Sequence, residues 1–437
     1  MDPVYIALIA IGLLVICLVT GVHVAVGMIL TSLIGVVWIT GSFSTALNLL
    51  GNTSYRSLMD YTLGAIPMFV VMGMLIIRSG SSEELYNLAG RLFYHFKGGV
   101  AIATVAANAV FAAVTGVSMA SAVIFSKVAV PEMTRLGYNY RFAIGTVAGS
   151  SVLGMLIPPS VLLILFGVLA EESIGKLFLA GVIPGIILAI VYGVGIFLMV
   201  SLRPNLAGKS PFKEKISWNR QWRQLIGSSG IVAIIILVVV GIYLGFFTPT
   251  EAGVVGAFLA LILTIIRRKI SISGLSDVML ETGYAIAGIY LLFIGARMFS
   301  RMLTISGLPA ETAGFVSSLD VGPFAVVWLF ILAIILMGTI LDSASIMFVC
   351  MPLMLPVLQA LNIDLIWFGI LCIIAVEMGL LTPPFGMIAY GMPVLLGGEC
   401  TIADVFIGTA PFLIMMFLVL VLLSFFPSFI TWLPNLM

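Results

Sequence analysis

Two long apolar runs in this chain are each interrupted by a pair of adjacent prolines, in GMLIPPS (154–160) and in GLLTPPF (379–385). Proline removes a backbone donor and clashes with the preceding turn, so a helix carrying such a pair breaks there. One offset in numbering, 379 − 154 = 225, relates the leading glycines and both prolines of the two motifs, and it also relates Ser118 to Ser343 and Pro131 to Pro356. The chain therefore reads as two copies of one unit, each with a helix broken in its middle.

The sequence around the breaks decides the class. Of 437 residues, 62% are hydrophobic and 8% charged, with a mean hydropathy of +1.27, against roughly 45–50% and 25% in soluble domains. Apolar stretches repeatedly reach the roughly 20 residues that cross a bilayer as helix, and the alternating pattern of an outer-membrane barrel is missing. The reading is an all-α polytopic membrane protein. MDPVYIALIA has no basic n-region, so the first apolar stretch is expected to be a retained span. A net charge of +1 carries no signal for nucleic acid. Cys17, Cys350, Cys372 and Cys400 form no CxxC, and His23 and His95 have no metal-ligand spacing. No GxxxxGK[ST], HExxH or Ser/His arrangement occurs, which argues against ATP-driven pumping, proteolysis and enzymatic function.

Residues 4–20 and 22–40 read as spans joined near Gly21 and His23, and 61–79 as a third. Over 81–96 the period is helical, with Leu85, Leu88, Leu92 and Phe93 opposite Glu83, Glu84 and Arg91, as in a helix lying in the membrane interface. Residues 98–113 and 118–134 are each too short for an ordinary span and flank Thr115-Gly116-Val117-Ser118, a pattern that predicts a re-entrant hairpin. The broken helix 140–170 and a span at 173–202 follow. The next loop carries Arg203, Lys209, Lys213, Lys215, Arg220 and Arg223 against Glu214 alone, and the positive-inside rule makes it cytoplasmic. Residues 224–246 and 250–266 go out and back through Thr248-Pro249-Thr250-Glu251 to Arg267-Arg268-Lys269. After an arm at 271–282 the second unit brings span 283–305, a polar interfacial piece 307–320, half-legs 322–337 and 343–361 around 338–342, a broken span 364–396 and a final span 404–433.

The organisation is thus N-terminal scaffold spans (1–60), a first unit (61–202, hairpin about 98–135), a cytoplasmic loop with two linking spans and an arm (203–282), and a second unit (283–433, hairpin about 322–361). Counting spans outward from the basic loop opens the first hairpin to the inside and the second to the outside. That is an inverted repeat with two re-entrant hairpins and two broken helices, the architecture of many secondary transporters. Arg135 and Arg141 flank the first hairpin, whereas the same offset leads to Ala360 and Ile366 in the second unit. The loop 397–403, inside in this topology, has no basic residue and contains Glu399.

Broken helices facing hairpin tips bring free carbonyls and amides to the midplane, where they coordinate cations and attract anionic groups; the plainer alternative is a kink made for packing. Asp342 is the only carboxylate in the second hairpin, and a lone Asp in a membrane calls for a cation or proton unless the tip is exposed to water. Hydroxyls at Ser118, Ser121, Ser343 and Thr382 suit a hard cation such as Na⁺, although small polar residues also serve as helix-packing glue. Arg297 and Arg301, one turn apart late in their span, either meet a substrate carboxylate or snorkel to the interface. Glu377, before the second break, either binds a proton or caps a polar cavity.

The chain resembles the large membrane subunit of tripartite ATP-independent periplasmic (TRAP) transporters over nearly its whole length. The resemblance rests on IPMFVVMG (66–73), PEMTRLGY (131–138), GMLIPPS, SIGKLFLAGVIPG (173–185), TPTEAG (248–253), GTILDSASIMF (338–348) and GLLTPPFGMIAYG (379–391). One departure is Val117 in the first tip, where Gly-Ser-Ser is usual. The resemblance implies Na⁺-coupled import across a bacterial inner membrane of an organic acid such as a C4-dicarboxylate, a sialic acid or another sugar acid. It also implies delivery by a periplasmic solute-binding protein, a small partner subunit of about four spans, and an elevator motion of the hairpins and broken helices. Expected cation ligands are Gly116, Ser118, Gly338, Asp342 and Ser343, with Thr382 and Pro383 at a second Na⁺ site. Expected solute contacts are Ser121, Pro158, Pro159, Ser160, Pro384 and Arg297. A stand-alone Na⁺/anion symporter and a non-transporting scaffold subunit are the competing readings.

Overall fold

The computed structural model describes residues 2–208, 218–318 and 322–436, and among them every regular element is helical. Lys209, Lys213, Glu214 and Lys215 of the basic loop lie outside the described residues. The chain opens with α1 (Pro3–Val19) and α2 (Val24–Thr40). Asp2 starts α1 by accepting the Val4 N–H at 3.0 Å, and left-handed Gly41 ends α2. A helix absent from the sequence reading follows, α3 (Phe43–Leu58). The face it buries is Ala46, Thr53 and Ser57, small and polar residues that a search for long apolar spans passes over.

A short turn leads into α4 (Ala65–Arg78), then α5 (Ser81–Phe93). The buried face of α5 is Ser81, Ser82, Leu85, Tyr86, Ala89 and Gly90, and Leu92 is 63% exposed, so the apolar face drawn through Leu92 is rotated from the observed one. The first hairpin is α6 (Gly99–Thr115) and α7 (Ser118–Arg135). The first broken helix is α8 (Tyr140–Ser151), α9 (Leu153–Leu156) and α10 (Val161–Ala170), bent by 41° at Pro158-Pro159. Next come α11 (Ile174–Leu202), α12 (Trp218–Tyr243) and α13 (Pro249–Ile266). TPTE is a capping box in which Glu251 accepts from Thr248 N–H (2.8 Å) and Thr248 Oγ1 from Glu251 N–H (3.3 Å).

The arm at 271–282 and the span at 283–305 are one continuous helix, α14 (Ile272–Ser306). Polarity marks a boundary there, but no proline or cap breaks the helix. The second unit continues with α15 (Leu308–Ser318), the hairpin α16 (Pro323–Gly338) and α17 (Ser343–Ala360), the broken helix α18 (Leu365–Leu381) and α19 (Met387–Leu395), and α20 (Ile402–Phe425). The last span is shorter than expected: Pro427 separates α20 from a single turn, α21 (Ser428–Thr431). Helix bounds keep the offset of the motifs. Tyr140–Leu156 is matched at that offset by Leu365–Leu381, and Ser118 and Ser343 each begin a second hairpin leg.

Six of these helices are long and apolar enough to cross a membrane, seven counting the bent pair. The core runs along α18, where Trp367 through Leu381 are buried without exception, as expected for a helix apolar on every side. Glycines set the closest crossings. A Cβ at Gly145 of α8 would overlap the Gly408 carbonyl oxygen of α20, and one at Gly379 of α18 would stand 2.5 Å from the Gly338 Cα of α16.

Candidate functional site

Each hairpin tip is seated against its own unit's broken helix. Gly116 turns the first tip at φ +62, where glycine is favoured, and a Cβ on it would meet the Pro159 carbonyl oxygen at 2.8 Å. Its own carbonyl accepts the Val161 N–H at 3.3 Å, so tip and break share a backbone hydrogen bond. Gly154 packs on Ser118 in the same way, since a Cβ there would lie 3.2 Å from the Ser118 Cα. Hydroxyls satisfy backbone groups freed at the breaks. Ser160 Oγ donates to the Met155 carbonyl (2.5 Å) and accepts the Leu163 N–H (3.3 Å), while Thr382 Oγ1 donates to the Met378 carbonyl (2.6 Å). Pro158, Pro159 and Ser160 are buried, whereas Pro383, Pro384 and Phe385 are exposed. The first break is sealed and the second opens at the surface.

The two units meet at Glu377. Its side chain is 1% exposed, and Oε2 accepts the Ser118 hydroxyl at 2.7 Å across 259 positions of sequence. The Ser343 hydroxyl lies beside the same carboxyl, and Oε1 has no partner in hydrogen-bonding geometry. Ser118 and Ser343 are the first residues of α7 and α17, so the positive ends of two helix dipoles converge on one carboxyl. Asp342 caps α17, accepting the Ala344 and Ser345 N–H groups at 3.2 and 3.3 Å and the Ser345 hydroxyl. Its match in the first unit is Val117, which supplies no side-chain cap to α7. Among the described residues neither Asp342 nor Glu377 forms an ion pair with Arg or Lys.

A cavity of about 350 Å³ lies where both tips and both breaks converge, closed by α4 and α14. Ser118, Asp342 and Ser343 are on its wall, with Thr115, which the sequence reading does not single out. Of the remaining expected cation ligands, Gly116, Gly338, Thr382 and Pro383 are not on the wall, and neither are Pro158, Pro159, Ser160 and Pro384; their neighbours Met155, Val161 and Leu380 are. A larger groove of about 510 Å³ between α6 and α11 is lined wholly by apolar residues and glycine, including Phe93, Ile102, Ile190 and Phe197. It lacks the polar groups that orient a solute.

Two expected solute contacts are committed elsewhere. Ser121 Oγ donates to Asn108 Oδ1 (2.7 Å) and Asn108 Nδ2 to Ser150 Oγ (2.5 Å), a buried chain that ties both legs of the first hairpin to α8. Arg297 pairs with Asp60 (Nη2 to Oδ2 2.8 Å), its guanidinium carbon is 4.3 Å from the Phe293 ring centroid, and it borders a separate cavity of about 130 Å³. Arg301 donates to Thr53 Oγ1 at 2.9 Å. Arg297→Gln is expected to lower stability by about 1 kcal/mol and to leave the solute concentration for half-maximal uptake unchanged; thermal unfolding and uptake titrations check both. Among the described residues no group of three or more His, Cys, Asp or Glu side chains is placed to hold a metal ion.

The profile of the family described as "Tripartite ATP-independent periplasmic transporter, DctM component" matches residues 11–429. The chain belongs to this family. Its members are large permease subunits of TRAP transporters, proteins of the bacterial inner membrane and not enzymes. The chain is 31% identical over 388 residues to the C4-dicarboxylate TRAP transporter large permease protein DctM of Pseudomonas aeruginosa, covering 86% of each chain. It is 30% identical over 394 residues to the sialic acid large permease protein SiaM of Vibrio cholerae (90% of this chain, 91% of SiaM). It is 28% identical over 376 residues to the ectoine/5-hydroxyectoine large permease protein UehC of Ruegeria pomeroyi (86% of each). Among solved structures, the YdaH transporter of Alcanivorax borkumensis shares the fold at TM-score 0.64 and 16% identity, over 88% of both chains. MtrF of Neisseria gonorrhoeae shares it at 0.57 and 11%, over 89% of this chain and 85% of MtrF.

Proposed function

We propose that this chain imports a carboxylate-bearing solute coupled to Na⁺, together with a small four-span membrane subunit and a periplasmic binding protein that delivers the solute. The observation that carries the reading is the convergence of two hairpin tips and two broken helices on one cavity whose wall carries Asp342, a carboxyl without a cationic partner, with the buried carboxyl of Glu377 behind it at Ser118. A buried carboxylate without a counter-charge is costly, so Glu377 favours a cation beside it, and half-buried Asp342 adds a second carboxyl at the tips. Ser118, Asp342 and Ser343 supply hard oxygen ligands, with the Gly116 and Gly338 carbonyls behind them, and the segment at Thr382-Pro383 serves a second ion. Bound Na⁺ raises the affinity of the adjacent solute site, and solute raises that for Na⁺ by the same factor. The two units act as an inverted repeat, and the hairpins with their broken helices move as an elevator against a scaffold of the other spans and the small subunit. Named substrates of relatives, C4-dicarboxylates, sialic acid and ectoine, set the range of solutes.

The test is uptake by proteoliposomes holding this chain, the small subunit and the binding protein. Accumulation is expected only with an inward Na⁺ gradient; transport that persists unchanged without it removes the coupling. Uptake by the chain alone would instead make it a stand-alone symporter. Asp342→Asn is expected to weaken the Na⁺ dependence more than Glu399→Gln, and equal effects would leave Asp342 without a special role.

A further inference from the structure

We infer that the groove between α6 and α11, apart from the tip cavity, holds one acyl chain of an anionic phospholipid of the cytoplasmic leaflet, with the lipid phosphate in a polar pocket at the groove's mouth. The dimensions of the groove give the first constraint. Along α11 it runs from Phe197 to Ile186, a rise of about 16 Å. Ile157, the residue before the first proline pair, closes the deep end, packed so near Gly185 that a Cβ on the glycine would stand 2.5 Å from Ile157 Cγ1. The hydrocarbon of one leaflet is about 15 Å deep, so the groove reaches from one interface to the midplane and stops. Spread over that length, a volume of about 510 Å³ makes a channel about 6 Å across, wide enough for a hydrocarbon chain, whereas a helix with its side chains needs about 10–12 Å.

The mouth gives the second constraint. Phe96 lines both the groove and a neighbouring pocket of about 320 Å³, whose wall brings together Lys97, the start of α6 at Gly98 and Gly99, and Pro204 just beyond α11. Lys97 is exposed and among the described residues forms no ion pair, and no described carboxylate is on the wall. A lysine ammonium beside the first turn of a helix suits a phosphate. This end of α11 leads into the basic loop, which the positive-inside rule makes cytoplasmic, and basic pockets between helices on that side receive anionic head groups. An apolar chain joined to an anionic head matches both parts of the site at once. Gly193 offers a way to block it, because a Cβ there meets only Ile102 Cγ2, at 3.8 Å, and a larger side chain would enter the groove without displacing backbone.

The experiment is native mass spectrometry of the purified full-length chain in detergent, titrated with dioleoylphosphatidylglycerol, dioleoylphosphatidylcholine or glycerol 3-phosphate. One phosphatidylglycerol is expected to be retained per chain, with phosphatidylcholine held about fivefold more weakly and glycerol 3-phosphate not retained. Lys97→Gln is expected to bring phosphatidylglycerol down to the affinity of phosphatidylcholine, and Gly193→Phe to weaken both lipids at least about tenfold. Ala106→Phe obstructs the groove from α6, and the unfolding temperature of each variant in lipid-free detergent shows which of them is folded, so either one decides. Obstructed variants that hold phosphatidylglycerol as tightly as the parent, equal retention of the two lipids, or glycerol 3-phosphate bound as tightly as lipid would each overturn the assignment. Obstruction that releases the small membrane subunit on co-purification and leaves lipid binding intact would also overturn it, giving the groove to a helix of that partner.

Discussion

Gly379→Val is expected to abolish uptake and to lower stability by at least about 3 kcal/mol, the upper end of what overpacking a core usually costs. Overpacking is normally relieved by side chains that move, and here none is available. A Cβ at 379 would stand 2.5 Å from the Gly338 Cα and 2.8 Å from the Ile335 carbonyl oxygen, so backbone faces backbone. The first leg of the second hairpin would have to leave the broken helix, carrying the tip at Asp342 with it. Gly288→Ala, in α14, is the control, because a Cβ there meets nothing within 4 Å. Thermal unfolding and proteoliposome uptake on both variants give the comparison; a Gly379→Val protein that melts and transports like the parent would show that this crossing is not what positions the tip.

Glu377→Gln carries the second large effect, with opposite signs in two buffers. In the absence of Na⁺ the variant is expected to unfold at or above the temperature of the parent chain, because replacing a buried carboxyl that has no counter-charge with a neutral group of the same shape is neutral or stabilising. The amide oxygen still accepts the Ser118 hydroxyl that now reaches Oε2 at 2.7 Å. In Na⁺ the order is expected to reverse, with the parent stabilised by the ion and the variant not, and with Na⁺ affinity reduced at least about tenfold, or about 1.4 kcal/mol. Ser118→Ala behaves differently: it leaves Oε2 without a donor and is expected to cost about 2 kcal/mol without Na⁺, and more with it because a cation ligand is lost as well. Unfolding curves at several Na⁺ concentrations separate the three proteins. Equal Na⁺ stabilisation of the parent and Glu377→Gln would remove Glu377 from any cation site.

The parts of the fold that announce themselves locally are legible in the sequence. Prolines at 158, 159, 383 and 384 fix the breaks wherever the helices go, and Gly116 marks a tip because only a left-handed residue turns the chain there. The constant offset carries these marks from one unit to the other. Elements whose evidence is tertiary are not legible. Helix α3 buries small and polar residues, so hydropathy passes over it, and the polar start of α14 looks like a loop although nothing in it ends a helix. The same division holds at the site. Asp342 stands out as a lone charge at a tip, and Ser118 and Ser343 as matched positions. Glu377 is visible only as an oddity in an apolar run, since its partner is 259 positions away. Asn108 gives no signal at all, and it takes the hydroxyl of Ser121 that the family resemblance assigns to the solute.

The central claim, that the two tips form a cation site centred on Asp342, is tested most directly by equilibrium binding of radioactive Na⁺ to the purified chain. Saturable binding is expected for the parent, binding weakened at least about tenfold for Asp342→Asn, and unchanged binding for Glu399→Gln. An Asp342→Asn protein that holds Na⁺ as tightly as the parent would contradict it.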